Sequence, residues 1–299
     1  MENLNVLNLI GYDKLFKNLV NNFNKKTLPN KILISGNESI GKYTFATHFV
    51  NYILSGKERF SYNLDTFSIN PNNNSYKKIK NQSHPNFHLI SLKKDKKSIE
   101  IGQIKEMFKF INQSTFGNNL KIVMIDNVEF LNLSSSNALL KNLEEPNDNV
   151  LYLLIHNKNV FLSSTIKSRC INVKLNLSNS DVENVLKHIT KKDILKSLSK
   201  DFVNLTHNIS FYLNFYEFCV ENEIDFSNIS IENLLKLIFK NKLYVKSDFI
   251  HYNLKLFMEI YFKKNFINTY DDDIYSNYQY FNNKYKSFLR YNLDYESFL

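Results

Sequence analysis

Three short segments carry residues whose types and spacing suit phosphate chemistry. The first is Gly36-Asn-Glu-Ser-Ile-Gly41-Lys42, set between an apolar run at residues 31–35 (KILIS) and a helical pattern that starts at Lys42. This is P-loop spacing in the strand–loop–helix context that the motif needs. The glycines let backbone wrap phosphates, the helix N-terminus favours negative charge, and the lysine reaches the outer phosphates. A hydrolysing loop continues with Ser or Thr to hold Mg²⁺. Here Tyr43 follows, bulky and a poor magnesium ligand, and Thr44 comes one place late, about 100° further round the helix. The pattern keeps phosphate binding and weakens metal-assisted hydrolysis.

The second segment is the apolar run LKIVMI at residues 120–125, which ends in Asp126. Alone, Asp126 reads as a turn carboxylate at a strand end. The P-loop upstream favours pairing it with phosphate chemistry. A hydrolase of this kind places Glu next, to activate water, but the next residue is Asn127, which cannot take a proton. Glu129 lies two residues on, where strand alternation or a turn is expected to aim it elsewhere. The third segment is Ser168-Arg169-Cys170. Arg169 is one of three arginines, with Arg59 and Arg290, in a chain of 35 lysines. Its planar fork grips phosphate in a way that lysine cannot. An arginine given to a neighbouring subunit's nucleotide is worth about 10³–10⁵ in rate. Spacing alone favours the plainer reading, an interface or salt-bridging arginine.

Alternating short strands and helices must position these groups. Residues 1–30 read as an entry helix closing at Leu28-Pro29, with Leu15, Leu19 and Val20 on one face. Strands are expected at 31–35, 87–91, 120–125, 150–155 and 171–174. Helices are expected from Lys42 to about Leu54, along Ile101, Ile104, Phe108 and Ile111, over 134–145 up to Pro146, and over 163–168. Residues 61–84 are rich in Asn and read as a surface loop. Such alternation implies a parallel sheet covered on both faces. After Leu177 the pattern becomes helical almost to Leu299. Ser180 with Glu183 fits a capping box, and the acidic triplet 271–273 reads as a solvated turn. The abundant Phe and Tyr there serve either a core of their own or association.

Length and composition fit this plan. At 299 residues, with 43% hydrophobic and 22% charged residues, the chain suits two or three globular domains. No apolar run reaches membrane-spanning length and no signal peptide is visible, so a cytoplasmic location without membrane attachment is expected. Two cysteines, Cys170 and Cys219, exclude a disulfide framework. The net charge of +9 permits a nucleic-acid partner. The 46 Asn and 35 Lys against three Arg equally fit AT-rich coding. Both readings stand.

In chain order, Leu28-Pro29, Gly36–Lys42, His84-Pro85, Ile101 with Ile104, Asp126, the run NALLKNLEEP at 137–146 and Ser168-Arg169-Cys170 resemble the AAA+ module of bacterial clamp-loader subunits. Within that family of DNA polymerase III components they look most like the delta-prime subunits. The resemblance covers residues 1–175. It implies an α/β AAA+ P-loop core with a parallel sheet (1–175), followed by an all-α lid (176–212) and an all-α collar for oligomerisation (213–299).

Its functional implication is a subunit that does not hydrolyse ATP and has no independent catalysis, within the DNA polymerase III holoenzyme. Arg169 would be the arginine finger for a neighbouring ATPase. Gly36, Gly41, Lys42, Thr44, Asp126 and, at the sensor-1 position, Asn157 would form a degenerate nucleotide site. The implied partners are gamma/tau and delta subunits in a hetero-pentamer, and through them the sliding clamp and primed DNA. No cofactor is required, although ATP or ADP can be bound without hydrolysis. Relatives with a zinc module carry four cysteines between the P-loop helix and the next strand. Residues 55–98 have none, and His84 with His88 are too few, so no zinc is expected. The alternative is a catalytically active, gamma/tau-like ATPase, which would need Thr44 and Glu129 to replace the missing residues. No sensor-2 arginine is visible in 204–214.

Overall fold

The computed structural model describes residues 7–113, 120–145, 147, 149–203, 205–269 and 272–291, except the side chains of 267–269, 272, 288, 289 and 291. Residues 1–6 and 292–299, Pro146, Asn204 and Asp271, on which parts of the sequence reading rest, lie outside the described residues. The described residues divide into two compact units, 1–189 with 207–209, and 190–206 with 210–299.

The first unit is built on five parallel strands, β1 (Lys31–Gly36), β2 (Phe87–Ile90), β3 (Lys121–Ile125), β4 (Val150–Asn157) and β5 (Ile171–Lys174). They lie in the order β2-β3-β4-β1-β5. The expected α/β core with a parallel sheet is therefore present, with the glycine loop after β1 and Asp126 after β3. Side chains alternate across the sheet. Leu33, Val123, Ile125, Tyr152 and Leu154 pack with α4 (Ile101–Asn112) and α5 (Leu133–Glu144) through Ile104, Met107, Leu139 and Leu143. The alternate residues Ile32, Ile34, Met124 and Leu153 are equally buried. On β1 and β4 packs α2 (Lys42–Ser55), whose Phe45 and Phe49 meet Phe16 of α1 (Asp13–Asn24) at ring separations of 5.6 and 6.3 Å. Covering both faces explains why the strands read as unbroken apolar runs.

Four local expectations need correction, the first being the acidic triplet, whose Asp272 and Asp273 open the helix Asp272–Tyr291 rather than a turn. The entry helix covers only Asp13–Asn24. Ahead of it, Leu9 N–H donates to Phe67 O (2.9 Å) and Ile69 N–H to Leu7 O (2.8 Å), extended pairing that competes with helix. The Asn-rich loop contains a short helix, α3 (Asn74–Lys80). Asn73 caps it, its side chain accepting from Tyr76 N–H at 2.6 Å, and Glu58 accepts from Asn74 and Ser75 N–H at 2.9 and 3.0 Å. Finally, α7 (Asn179–Thr190) is capped by Ser178 rather than Ser180. Ser178 N–H donates to Asp181 Oδ2 (2.9 Å), and Asp181 N–H returns to Ser178 Oγ (3.2 Å). Burial of Leu175 and Leu177 brings Ser178 to the cap, and Asp at the third position serves in place of Glu.

The second unit is helical: α8 (Ile209–Glu221, from Ser210 on), α9 (Ile231–Lys240), α10 (Leu243–Lys246), α11 (Asp248–Thr269) and α12 (Asp272–Tyr291). Its core is aromatic, with Phe202, Phe215 and Phe257 fully buried and the Phe202 and Phe215 rings 4.9 Å apart. Lys264 ties Asp201 (2.8 Å) to Glu232 (3.3 Å). Much of the Phe content thus serves the unit's own core, while Tyr252, Tyr275 and Tyr280 are exposed. Among the described residues no helix is long and apolar enough to cross a membrane.

One buried charge holds the edge of the first unit. Lys121 is 2% exposed, and its ammonium donates to Phe110 O, Ile111 O (3.2 Å) and Gln113 O at the C-terminal end of α4. Carbonyls at a helix end need such donors. Lys121→Ala is expected to lower the unfolding free energy by about 2 kcal/mol, because the buried Ile111 carbonyl and two part-buried neighbours lose their donor. Urea unfolding measures this; an unchanged midpoint would mean that water satisfies those carbonyls.

Candidate functional site

The ends of three strands meet at one edge of the sheet. Parallel register sets Gly36 of β1 against Asn157 of β4, and Ile125 of β3 against Leu154. Gly36, Asp126 and Asn157 therefore share the C-terminal edge, where loops project from an open α/β sheet.

Between β1 and α2 the P-loop is shaped by its backbone. A Cβ on Gly36 would lie 2.5 Å from Ile40 Cδ1 and 2.7 Å from Leu175 O, so only glycine fits. Gly41 caps α2 at φ +83°, a conformation that favours glycine. Tyr12 Oη donates to Ile40 O (2.6 Å), Lys158 N–H to Gly36 O (3.0 Å) and Ile209 N–H to Ser39 O (3.4 Å). Lys42 is 7% exposed, and its ammonium donates to Gly36 O (3.2 Å) and to Asn37 O. Burial lowers its pKa, against the opposing pull of Glu129, Asp126 and Glu38. The loop fits a phosphate.

The position after Lys42 does not fit a hydroxyl-held magnesium ion. Tyr43 is 39% exposed, its phenol pushed up in pKa first by burial and then by the Asp126 carboxylate. Thr44 is half-buried and lies off this position.

Asp126 is raised to about 6, mainly by burial and then by Glu129, while Lys42 and the Asn127 N–H oppose the shift. Glu129, which the sequence pattern was expected to aim elsewhere, is turned towards the site instead. Asn127 adopts φ +54° and ψ 60°, and the chain turns there into a single 3-10 turn, Val128–Phe130. The turn swings Glu129 back towards the site, where its Oε1 accepts from Asn157 N–H (3.1 Å). Its Oε2 is buried with no hydrogen-bond partner. The available signal was Asn127 itself, since Asn tolerates the left-handed conformation better than other side chains. Asn157 presents its backbone N–H to Glu129, while its side-chain Oδ1 accepts from Asn159 N–H (3.2 Å).

Arg169 stands at the C-terminal end of α6 (Ser164–Ser168). Its Nη1 donates to Thr165 O (2.9 Å) and its Nη2 to Glu144 Oε1 (2.6 Å). These bonds tie it to α5 and α6, and among the described residues no hydrogen bond joins it to the P-loop. His84 and His88 are used locally: His84 Nδ1 accepts from Asn86 N–H (3.1 Å), and His88 stacks on Phe110 at 5.3 Å.

Residues 11–179 match the family model described as DNA polymerase III, delta subunit. The chain is 30% identical over 200 residues to DNA polymerase III subunit delta' of Buchnera aphidicola (Schizaphis graminum), covering 66% of this chain and 58% of that protein. It is 34% identical over 89 residues to subunit delta' of Pseudomonas aeruginosa, covering 30% and 27%. It is also 39% identical over 94 residues to subunit gamma of the same Buchnera strain, covering 31% and 26%. Each match spans less than two thirds of the relative's own length.

The raised Asp126 pKa has a consequence for stability. The unfolded carboxyl titrates near 3.9, so at neutral pH the folded state holds an ionised group that it disfavours. Asp126→Asn is expected to stabilise the fold by about 2–3 kcal/mol above pH 6. The gain should fade as the pH drops through 6 towards 4, where wild-type Asp126 is protonated in the folded state and no longer penalised. Denaturant titrations at pH 7.5 and 4.5 check this; an equal gain at both would remove ionisation as the cause.

Proposed function

The chain belongs to the DNA polymerase III delta-subunit family matched by residues 11–179, and from that premise we propose that it is a delta-prime-like, non-hydrolysing subunit of a clamp loader. The observation that carries the proposal is Tyr43 beside Asp126. A phenol stands where a hydroxyl ligand for magnesium is needed, and Asn127 stands where a water-activating glutamate is needed. The phosphate-binding backbone of Gly36, Gly41 and Lys42 is retained. Thr44, Asp126 and Asn157 complete a degenerate site that takes ATP or ADP without hydrolysing it, and no zinc is required.

In this reading the chemistry occurs in a neighbouring gamma/tau subunit. Arg169, partly exposed at the end of α6, reaches that subunit's nucleotide and stabilises charge that develops on the transferred phosphoryl group. Residues 176–212 serve as lid and 213–299 as collar in a hetero-pentamer with gamma/tau and delta. The assembly opens the sliding clamp and sets it on primed DNA.

A second reading, a competent gamma/tau-like ATPase, is favoured by one observation: the unpartnered Oε2 of Glu129 near Lys42 and Asp126. ATP turnover by the purified chain, alone and mixed with gamma/tau and delta, separates the two. The expected result is no turnover by the lone chain and full incorporation into an active complex. In that complex Arg169→Ala is expected to cut DNA-stimulated turnover by about 10³-fold or more. Turnover by the lone chain that Lys42→Ala abolishes would establish the second reading instead.

A further inference from the structure

Two motifs separated by about 25 residues meet in one ion pair, and only one has a role so far. Ser168-Arg169-Cys170 supplies the proposed finger. The run NALLKNLEEP supplies Glu144, the last residue of α5, whose Oε1 lies 2.6 Å from Arg169 Nη2. We infer that Glu144 is a positioning residue for Arg169, holding the guanidinium in the pose that meets a neighbouring subunit's nucleotide. The inference rests on the finger reading above.

Both ends of the contact are anchored. Leu143, beside Glu144, is fully buried, and Ile166, one turn before Arg169, is 1% exposed. Two nitrogens of one planar group bond to two different elements, Nη1 to Thr165 O in α6 and Nη2 to Glu144 in α5. That fixes the plane of the fork and not merely the position of its charge. A guanidinium has five N–H donors, and these bonds use two, so three remain for phosphate oxygens. The pair is partly solvated, with Arg169 31% and Glu144 51% exposed. A pair so exposed adds little to stability. Its effect belongs to geometry: an unpinned arginine must give up rotamer freedom when it docks, and a pinned one has already done so.

The test uses the full chain reconstituted with the ATP-hydrolysing and remaining subunits of the proposed complex. DNA-stimulated turnover is resolved into kcat and KM, and assembly is followed by gel filtration. Glu144→Ala is expected to lower kcat about tenfold or more, with KM for ATP, assembly and the chain's unfolding midpoint unchanged. Glu144→Gln keeps an oxygen acceptor and is expected to retain most of the rate. The Glu144→Ala/Arg169→Ala double variant should be no slower than Arg169→Ala, because Glu144 acts only through Arg169. If Arg169→Ala loses rate while Glu144→Ala keeps or raises it, Glu144 is a passive tie or a restraining latch, and the inference is overturned. If Arg169→Ala itself is silent, the finger reading has failed and the inference falls with it.

Discussion

How β4 pairs with its two neighbours decides where every candidate group lies. It runs parallel to β1 on one side and to β3 on the other, with Gly36 against Asn157 and Ile125 against Leu154. Parallel strands finish at a common edge, so the P-loop, the acidic residue and the polar end of β4 converge without a dedicated binding domain. The register is held by two buried faces. A slip of one residue would turn every side chain of β4 to the opposite face. Tyr152, fully buried and bonded through its hydroxyl to Asn142 Oδ1 (3.3 Å), could not make that exchange. Packing on the far sides of the sheet thus sets the geometry at its edge.

Convergence at that edge has an electrostatic cost. One buried ammonium faces several carboxylates where water is scarce. For Lys42, burial outweighs the attraction of Glu129, Asp126 and Glu38, so its pKa falls. For Asp126, burial and Glu129 outweigh Lys42, so its pKa rises. Each group is held against its preferred ionisation, as burial does to charges that lack a close partner. By contrast, the Arg169–Glu144 pair is close, at 2.6 Å, and partly solvated.

Most of the first unit was legible in the sequence. Strands buried on both faces are continuous apolar runs, and α4 and α5 carry clear periodicity, so their bounds agree to within a residue or two, apart from the longer β4. Misreadings arose where short-range hydrogen bonding competes with pattern. Residues 7–9 have helical-looking apolar spacing but pair as extended chain with 67–69. Asn73 and Glu58 cap a helix inside a stretch whose composition reads as loop. At the strand ends, the placement of Gly36, Lys42 and Asp126 was legible from type and spacing, whereas the role proposed for Arg169 came from the resemblance and not from its spacing. The placement of Glu129 was not legible, because its direction depends on one backbone angle at Asn127. Arg169's partner was also hidden, since an ion pair between two helices leaves no periodic trace.

The site's departures from a hydrolysing pattern sort by what each residue touches in the chain itself. Gly36 admits Ile40 and Leu175 where a side chain would collide. Gly41 lets the backbone turn into α2, and Lys42 closes the loop on Gly36 O and Asn37 O. Tyr12, Lys158 and Ile209 each bond a carbonyl of the same loop. These contacts make the loop a junction of the fold. The side chains after Lys42 and Asp126 hold no carbonyl of this loop: Tyr43 is 39% exposed, and Asn127 serves through its backbone turn. On the proposed reading, hydrolysis in another subunit lifts the constraint on those two positions and leaves the constraint on the glycines and the lysine in place. A well-formed P-loop beside altered metal and base positions is what the proposed division of labour predicts.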